Sequence, residues 1–198
     1  MISHDCGVIY LNIPFSGGES FNKFYVDRYK GSMKRIEGNN ENEIKQNTEK
    51  YIHDFYDYDL FTIVKNPYHR AVDMWLNAQS KFKRTSIKKQ SISEYFENLL
   101  NKWDCADEDY ISYQTDYLIK KDNHINYEVK NIFHVEDLIN GKFDRINLFL
   151  EDNYMPSMSF YIEEPQDENW RDYYNKDSIE IINYIFDEDF EYCGYGKI

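Results

Sequence analysis

The stretch YLNIPFSGGESF, residues 10–21, combines an apolar strand pattern, a turn of small residues and the start of a helical pattern. The apolar, β-branched run at 8–13 predicts a buried strand. Apolar side chains then recur at helical spacing from Phe21 to Tyr29. A strand, a tight turn and a helix in this order place free backbone N–H groups and the positive end of a helix at one point. Such a point suits an anion, and especially a phosphate.

The residues of this turn suit an anion in part. Gly17 and Gly18 let the backbone approach a ligand closely, and Ser16 and Ser20 offer hydroxyl donors. A phosphate loop of the Walker type also carries a lysine, and no lysine precedes Lys23. The sequence therefore disfavours an ATP- or GTP-dependent kinase, which stays open as one alternative. A plain structural turn is another interpretation of a Gly-Gly pair.

The stretch LFTIVKNPYHRAVDMW, residues 60–75, repeats the order of strand, turn and helix. LFTIV predicts a second buried strand, and Asn66 and Pro67 supply a helix N-cap and a proline at the first helical position. Strands that alternate with helices indicate a parallel sheet, so we expect an α/β fold in a single domain over residues 1–198. The other predicted elements are a strand at 131–135 and helices at 91–103, 142–150 and 178–186.

The composition narrows the classes of function. A net charge of −13 and a pI near 4.8 oppose a nucleic-acid-binding protein, which would carry a basic surface. Cys6, Cys105 and Cys193 are far apart, which argues against a disulfide framework or a zinc site and suits a reducing compartment. No apolar run approaches the roughly 18 residues of a membrane span, and no signal peptide is predicted. We expect a cytoplasmic protein with no metal, no nucleic-acid partner and no membrane attachment.

Five stretches, taken in order, resemble the sulfotransferases that use 3′-phosphoadenosine 5′-phosphosulfate (PAPS), in particular their carbohydrate-sulfotransferase-like branch. IPFSGGES (13–20) is similar to the family's 5′-phosphosulfate loop, and VKNPYHRAVD (64–73) is similar to its 3′-phosphate motif. The other three are YISYQTDYL (110–118), NIFHVEDL (131–138) and WRDYYNKDSIEIINYIFDEDFEYCGY (170–195). The resemblance implies a three-layer, P-loop-like domain with a mostly parallel sheet and helices on both faces.

The resemblance also implies transfer of a sulfuryl group from PAPS to a hydroxyl of a small molecule or glycan. In this chain phenylalanine replaces the family's loop lysine, glutamate and aspartate replace a threonine and a serine, and lysine replaces an arginine. These changes favour an alternative, a catalytically impaired nucleotide- or glycan-binding protein of the same family type. By position, the PAPS-binding residues would be Phe15, Ser16, Gly17, Gly18, Glu19, Ser20, Lys65, Arg70 and Asp73.

A base for the acceptor hydroxyl is expected to be a histidine, which titrates near neutral pH. His53 is the candidate, although a lone histidine in a tyrosine-rich segment is also typical of a structural residue. His124 and His134 are alternatives, and the resemblance places His134 beside the nucleotide or substrate. Gln114 is expected to help order the acceptor cleft. The basic segment SKFKRTSIKK (80–89) either closes over a phosphate or forms a solvated turn.

Overall fold

The computed structural model describes residues 1–25, 33–37, 41–82, 90–101, 113–121, 126–159 and 169–198, without the side chains of residues 19, 20, 41, 42, 81 and 82. The chain divides into two compact units. The first comprises Met1–Val64 and Asp116–Glu163, and the second comprises Lys65–Thr115 and Glu164–Ile198. Compact units of this kind occur within single domains as well as between domains, so the single domain of residues 1–198 stays a prediction.

The first unit contains a four-stranded, mostly parallel sheet. In chain order, the strands of the described chain are β1 (Ile2–Ser3), β2 (Val8–Leu11), β3 (Asp59–Val64), β4 (Ile119–Lys121), β5 (Asn126–Glu128) and β6 (Asn131–His134). The main sheet has the order β1-β2-β3-β6, in which β1 is antiparallel to β2 and the other pairs are parallel. β4 and β5 form a separate antiparallel pair.

The two central strands are β2 and β3, and both are continuous apolar runs. All four residues of β2 and the last four of β3 are buried. Such runs are typical of parallel strands that are covered on both faces. The buried hydroxyl of Thr62 donates to the carbonyl of Leu11 at 2.6 Å, so this polar group is satisfied. The predicted strands at 8–13, 60–64 and 131–135 are thus confirmed to within two residues.

The helices complete a mixed α/β structure. They are α1 (Gly18–Lys23), α2 (Glu41–Asp54), α3 (Pro67–Phe82), α4 (Ile92–Asn101), α5 (Thr115–Leu118), α6 (Val135–Ile139), α7 (Asp144–Asp152), α8 (Lys176–Ile185) and α9 (Asp187–Tyr192), with a 3₁₀ turn at Trp170–Tyr173. Helices α1, α2, α6 and α7 belong to the first unit, and α3, α4, α8 and α9 belong to the second. Among the described helices, none is both long and apolar enough to cross a membrane.

An aromatic cluster forms the core of the first unit. The ring centroid of Tyr10 on β2 lies 4.4 Å from that of Phe21 on α1 and 5.2 Å from that of Phe61 on β3. Phe149 of α7 extends the cluster, 4.9 Å from Phe61. Each fully buried aromatic side chain of this kind stabilises a fold by about 1.5–3 kcal/mol. The cluster therefore fixes α1, and with it the turn before α1, against the sheet.

The second unit is helical in its described part, and its helices α3 and α4 begin where the sequence predicts. The predicted helix at 178–186 begins two residues earlier, at Lys176. The N–H of Tyr68 donates to Asn66 Oδ1 at 3.0 Å, which caps α3 at Pro67. The N–H of Ser91 donates to Glu94 Oε2 at 2.8 Å, and the N–H of Glu94 donates to Ser91 Oγ at 3.2 Å. This reciprocal pair is a capping box at the start of α4.

Candidate functional site

The loop between β2 and α1 is held in an unusual backbone conformation. The N–H of Ser16 donates to the carbonyl of Ile13 at 3.3 Å and closes the turn. Phe15 has a φ of 61° and Gly17 a φ of 78°. Glycine adopts positive φ without penalty, whereas a residue with a side chain pays about 1–2 kcal/mol. Phe15 is therefore strained at the position where the sulfotransferase motif has its lysine.

Position 18 needs a glycine for a different reason, because a side chain there would collide with neighbouring side chains. A Cβ atom at this position would lie 1.9 Å from Asn12 Oδ1 and 2.7 Å from the Tyr10 hydroxyl. The side chain of Asn12 is exposed and can swing away, but Tyr10 is fully buried. Burial also raises the pKa of Tyr10, and its hydroxyl makes no hydrogen bond within the part of the chain that the structure describes. The loop backbone thus lies directly against the end of β2.

The close contact at Gly18 leads to a stability prediction. Gly18→Ala is expected to lower the free energy of unfolding by about 1–3 kcal/mol, because the new methyl group must displace the buried Tyr10 hydroxyl. Tyr10→Phe removes that hydroxyl and is expected to restore most of the loss in the double variant. Gly196→Ala is the matched control, since its Cβ would have nothing within 4 Å. Equal denaturation midpoints for the two alanine variants, followed by circular dichroism, would contradict the contact.

The loop residues predicted from the sequence lie together at one edge of the sheet. Phe15, Ser16, Gly17 and Gly18 follow β2 directly, and Ser16 is buried. The backbones of residues 19 and 20 form part of α1, while the side chains of Glu19 and Ser20 lie outside the described structure. The carboxyl ends of the parallel strands share this edge, because Leu11 pairs with Thr62 and Val64 pairs with His134. This edge is where ligands bind in open α/β sheets.

The structure does not bring His53 to this edge. His53 lies near the end of α2, just before β3, and its imidazole is 65% exposed and 3.3 Å from Asp54. It lines a cavity with Tyr58 and Leu60, at the amino end of β3. β3 has six residues, so the two edges of the sheet are about 20 Å apart. The position of His53 argues against its role as a base acting at the loop.

His134 is the histidine that lies at the same edge as the loop. It is the last residue of β6, two strands from β2, which corresponds to about 10 Å across the sheet. Its side chain is 27% exposed, and its Nδ1 lies 4.0 Å from Asp137 Oδ2. The signal was present in the sequence, since a residue that ends a parallel strand lies at the ligand-binding edge. His124, the other alternative, lies outside the described residues.

In the second unit, the two cations of the stretch VKNPYHRAVD are buried in ion pairs. Lys65 Nζ donates to Asp73 Oδ2 at 3.0 Å, and the two side chains are 0% and 15% exposed. Arg70 is fully buried, with Nη1 at 3.8 Å from Asp189 Oδ2. The structure thus brings Lys65 and Asp73 together as partners. An anion that used the amine of Lys65 would compete with the carboxylate of Asp73.

Asp189 and Gln114 anchor the centre of this unit, and the sequence did not predict these roles. Asp189 accepts hydrogen bonds from the N–H of Gln114 and of Thr115 at 2.9 Å each, and from Thr115 Oγ1 at 3.1 Å. The Gln114 side chain pairs with the Lys65 backbone through two bonds of 2.9 Å. Gln114, which was expected to order an acceptor cleft, is fully buried. Asp189 is the first residue of DFEYCGY (189–195), which lies within the stretch 170–195 that resembles the sulfotransferases.

Some predicted features fall on residues that the structure does not describe. In the basic segment 80–89, residues 83–89 lie outside the description, as does Cys105. Cys6 and Cys193 are free thiols. Within the described ranges, no group of three or more His, Cys, Asp or Glu side chains is placed to hold a metal ion.

Comparison with known proteins finds no relative of this chain. No model of a known protein family matches it, and neither curated proteins nor solved structures give a match. The chain is therefore described by its own structure, as a mixed α/β protein with a mostly parallel sheet. The loop at the carboxyl edge of this sheet contains Gly17 at a positive φ.

Proposed function

We propose that this chain is a three-layer, P-loop-like sulfotransferase that moves a sulfuryl group from PAPS to a hydroxyl acceptor, such as that of a carbohydrate. The observation that carries the proposal is the turn between β2 and α1, which combines Gly17 at positive φ with Gly18 packed against the strand end. It is supported by the order of five stretches that resemble the PAPS-dependent family.

The proposed chemistry assigns each end of the nucleotide to one motif. The backbone of the turn from Phe15 to Gly18 would hold the 5′-phosphosulfate, because a turn between a strand and a helix presents N–H donors to an anion. Lys65 and Arg70 would supply positive charge for the 3′-phosphate. The acceptor oxygen attacks sulfur, the sulfur–oxygen bond to the 5′-phosphate breaks, and 3′,5′-adenosine bisphosphate leaves. In the proposal, the acceptor's proton goes to a base.

His134 takes the base role in this proposal in place of His53. Its position at the carboxyl edge of β6 supports the assignment, since the proposed phosphosulfate loop follows β2 at the same edge. The carboxylate of Asp137 lies 4.0 Å from His134 Nδ1 and would help to orient the imidazole.

A second function is favoured by the loop residue Phe15. A protein that binds the nucleotide or a glycan without transferring the sulfuryl group would need no lysine in the loop. Phe15 occupies the position of that lysine, which fits binding without efficient transfer. The amine of Lys65 lies 3.0 Å from Asp73, so a 3′-phosphate would have to compete with this carboxylate in either function.

Transfer from PAPS in the wild type and in Phe15→Lys separates the two functions. Lysine adds a charged hydrogen-bond donor, worth about 1.5–3 kcal/mol, so transfer to a hydroxyl acceptor is expected to rise by about tenfold or more. Phe15→Met is the control, because it has an unbranched side chain without charge. Release of 3′,5′-adenosine bisphosphate measures the rate. If neither the wild type nor either variant transferred a sulfuryl group to any of a panel of hydroxyl acceptors, the enzyme proposal would be wrong. The binding function would then be the one supported.

A further inference from the structure

The cavity that contains His53 lies at the opposite edge of the sheet from the glycine loop. It has a volume of about 160 Å³, and all its lining residues belong to the first unit. Ile52 and Leu60 are its aliphatic residues. The other six lining residues are His53, Phe55, Tyr56, Tyr58, Asn126 and Tyr127. Half of the eight lining residues therefore carry a phenyl or phenol ring, and an imidazole and a carboxamide add polar groups.

Two of the aromatic rings that line the cavity pack against each other and against neighbouring aromatic side chains. Phe55 and Tyr58 lie with centroids 5.0 Å apart, and Tyr51 stacks on Phe55 at 6.0 Å. His4 contacts Phe55 edge-on at 4.8 Å, and its Nδ1 is 3.0 Å from the Tyr58 hydroxyl. Tyr56, by contrast, is 88% exposed although it lines the cavity. A supported aromatic wall with one exposed ring offers π-faces to a ligand.

The charges around the cavity are negative. Asp54, Asp57 and Asp59 alternate along the chain with lining residues, and all three are exposed. Two of the nearby lysines are paired, since Lys120 Nζ lies 2.9 Å from Glu49 and Lys45 Nζ lies 3.9 Å from Asp116. Lys121, which lies opposite the lining residue Asn126 on the neighbouring strand, is exposed.

The lining residue Tyr127 also experiences this negative environment. Burial raises its pKa, and so do the charges of Glu49, Tyr117 and Asp116. The net charge of −13 adds a long-range attraction for cations.

We propose that this cavity binds a small organic cation with a methylated ammonium group. Aromatic faces attract such cations, and a methylated ammonium loses less hydration than a bare amine when it enters an apolar site. The ring of Tyr56 would cover the ammonium group, while Asn126 and His53 would bind a polar tail. The exposed aspartates distinguish this ligand from a neutral sugar, whose binding would gain nothing from their charge. The site is separate from the proposed transfer site and does not depend on it.

Choline and its neutral carbon isostere 3,3-dimethylbutan-1-ol test the proposal as a matched pair. Both are titrated into the full chain and followed by calorimetry and by backbone amide shifts. Choline is expected to bind saturably, to shift the amide signals of Asn126 and Tyr127, and to bind at least about tenfold more tightly than the alcohol. Tyr56→Ala is expected to weaken choline about tenfold, whereas Tyr56→Phe keeps the ring and the affinity.

Tyr184→Ala is the control variant, because Tyr184 is 77% exposed on α8 and does not line the cavity. Unchanged choline binding in this variant, with loss in Tyr56→Ala, supports the site. Equal binding of the alcohol, unsaturable choline binding, or tighter binding of glucose than of choline overturns it. Because Tyr56 and Tyr184 are both exposed, neither substitution removes core packing.

Discussion

Asp189→Ala is expected to lower the free energy of unfolding of the second unit by about 3–5 kcal/mol, because it breaks a buried charge cluster. The carboxylate accepts hydrogen bonds from the N–H of Gln114 and from the N–H and hydroxyl of Thr115. It also lies 3.8 Å from the buried guanidinium of Arg70. Truncation removes the acceptor from three donors and takes a negative charge away from a fully buried arginine.

The measurement for Asp189→Ala is denaturant unfolding followed by tryptophan fluorescence. The chain's three tryptophans are at positions 75, 103 and 170, all within the ranges of the second unit, so the signal reports on that unit. Asp187→Ala is the matched control on the same helix. Asp187 pairs with Lys197 but is 69% exposed, so its loss is expected to change stability by no more than about 1 kcal/mol. Similar losses in the two variants would show that Asp189 is not the anchor described above.

Asp73→Ala is expected to cost about 3 kcal/mol, since it leaves the buried amine of Lys65 without this carboxylate. The pair is 3.0 Å apart, and Lys65 has no exposed surface. Lys65→Met combined with Asp73→Asn removes both charges, and the double variant is expected to be more stable than Asp73→Ala. Replacement of both partners of a buried ion pair changes the stability of a protein little, whereas removal of one partner lowers it strongly, because the remaining charge stays buried without its partner.

An exposed pair of the same helical unit provides the comparison for Asp73. Lys176 and Glu180 on α8 are 3.8 Å apart and are 88% and 69% exposed. Glu180→Ala is expected to change stability by about 0.5 kcal/mol or less. If Asp73→Ala and Glu180→Ala gave the same unfolding midpoint, the buried pair would contribute no more than a surface pair.

The secondary structure was largely predictable because its signals are local. The apolar runs of β2 and β3, the N-cap at Asn66 and the capping box at Ser91 each depend on neighbouring residues. The short strand β1 was missed, because two residues give no periodicity. The β4–β5 pair was missed for the same reason, since each strand has only three residues.

The candidate site was predictable only where it is continuous in sequence. The loop from Phe15 to Gly18 could be read from its glycines, but the strain at Phe15 is a property of the folded backbone. The pairing of Lys65 with Asp73, eight residues apart, depends on side-chain burial, which the motif does not contain. The anchor at Asp189 joins residues 75 positions apart. His53 was expected near the loop because it is close to Lys65 in the sequence. The six residues of β3 lie between the two, and they place His53 at the opposite edge of the sheet from the loop.

The most direct test of the account is a calorimetric titration of the wild-type chain with 3′,5′-adenosine bisphosphate, repeated as a thermal shift. We expect saturable binding and a higher melting temperature, with about 2.7 kcal/mol of stabilisation at a ligand concentration 100 times the dissociation constant. 5′-AMP, which lacks the 3′-phosphate, should bind more weakly, and ATP should not replace it. No heat and no shift at millimolar ligand would contradict the account, because the glycine loop would then hold no nucleotide.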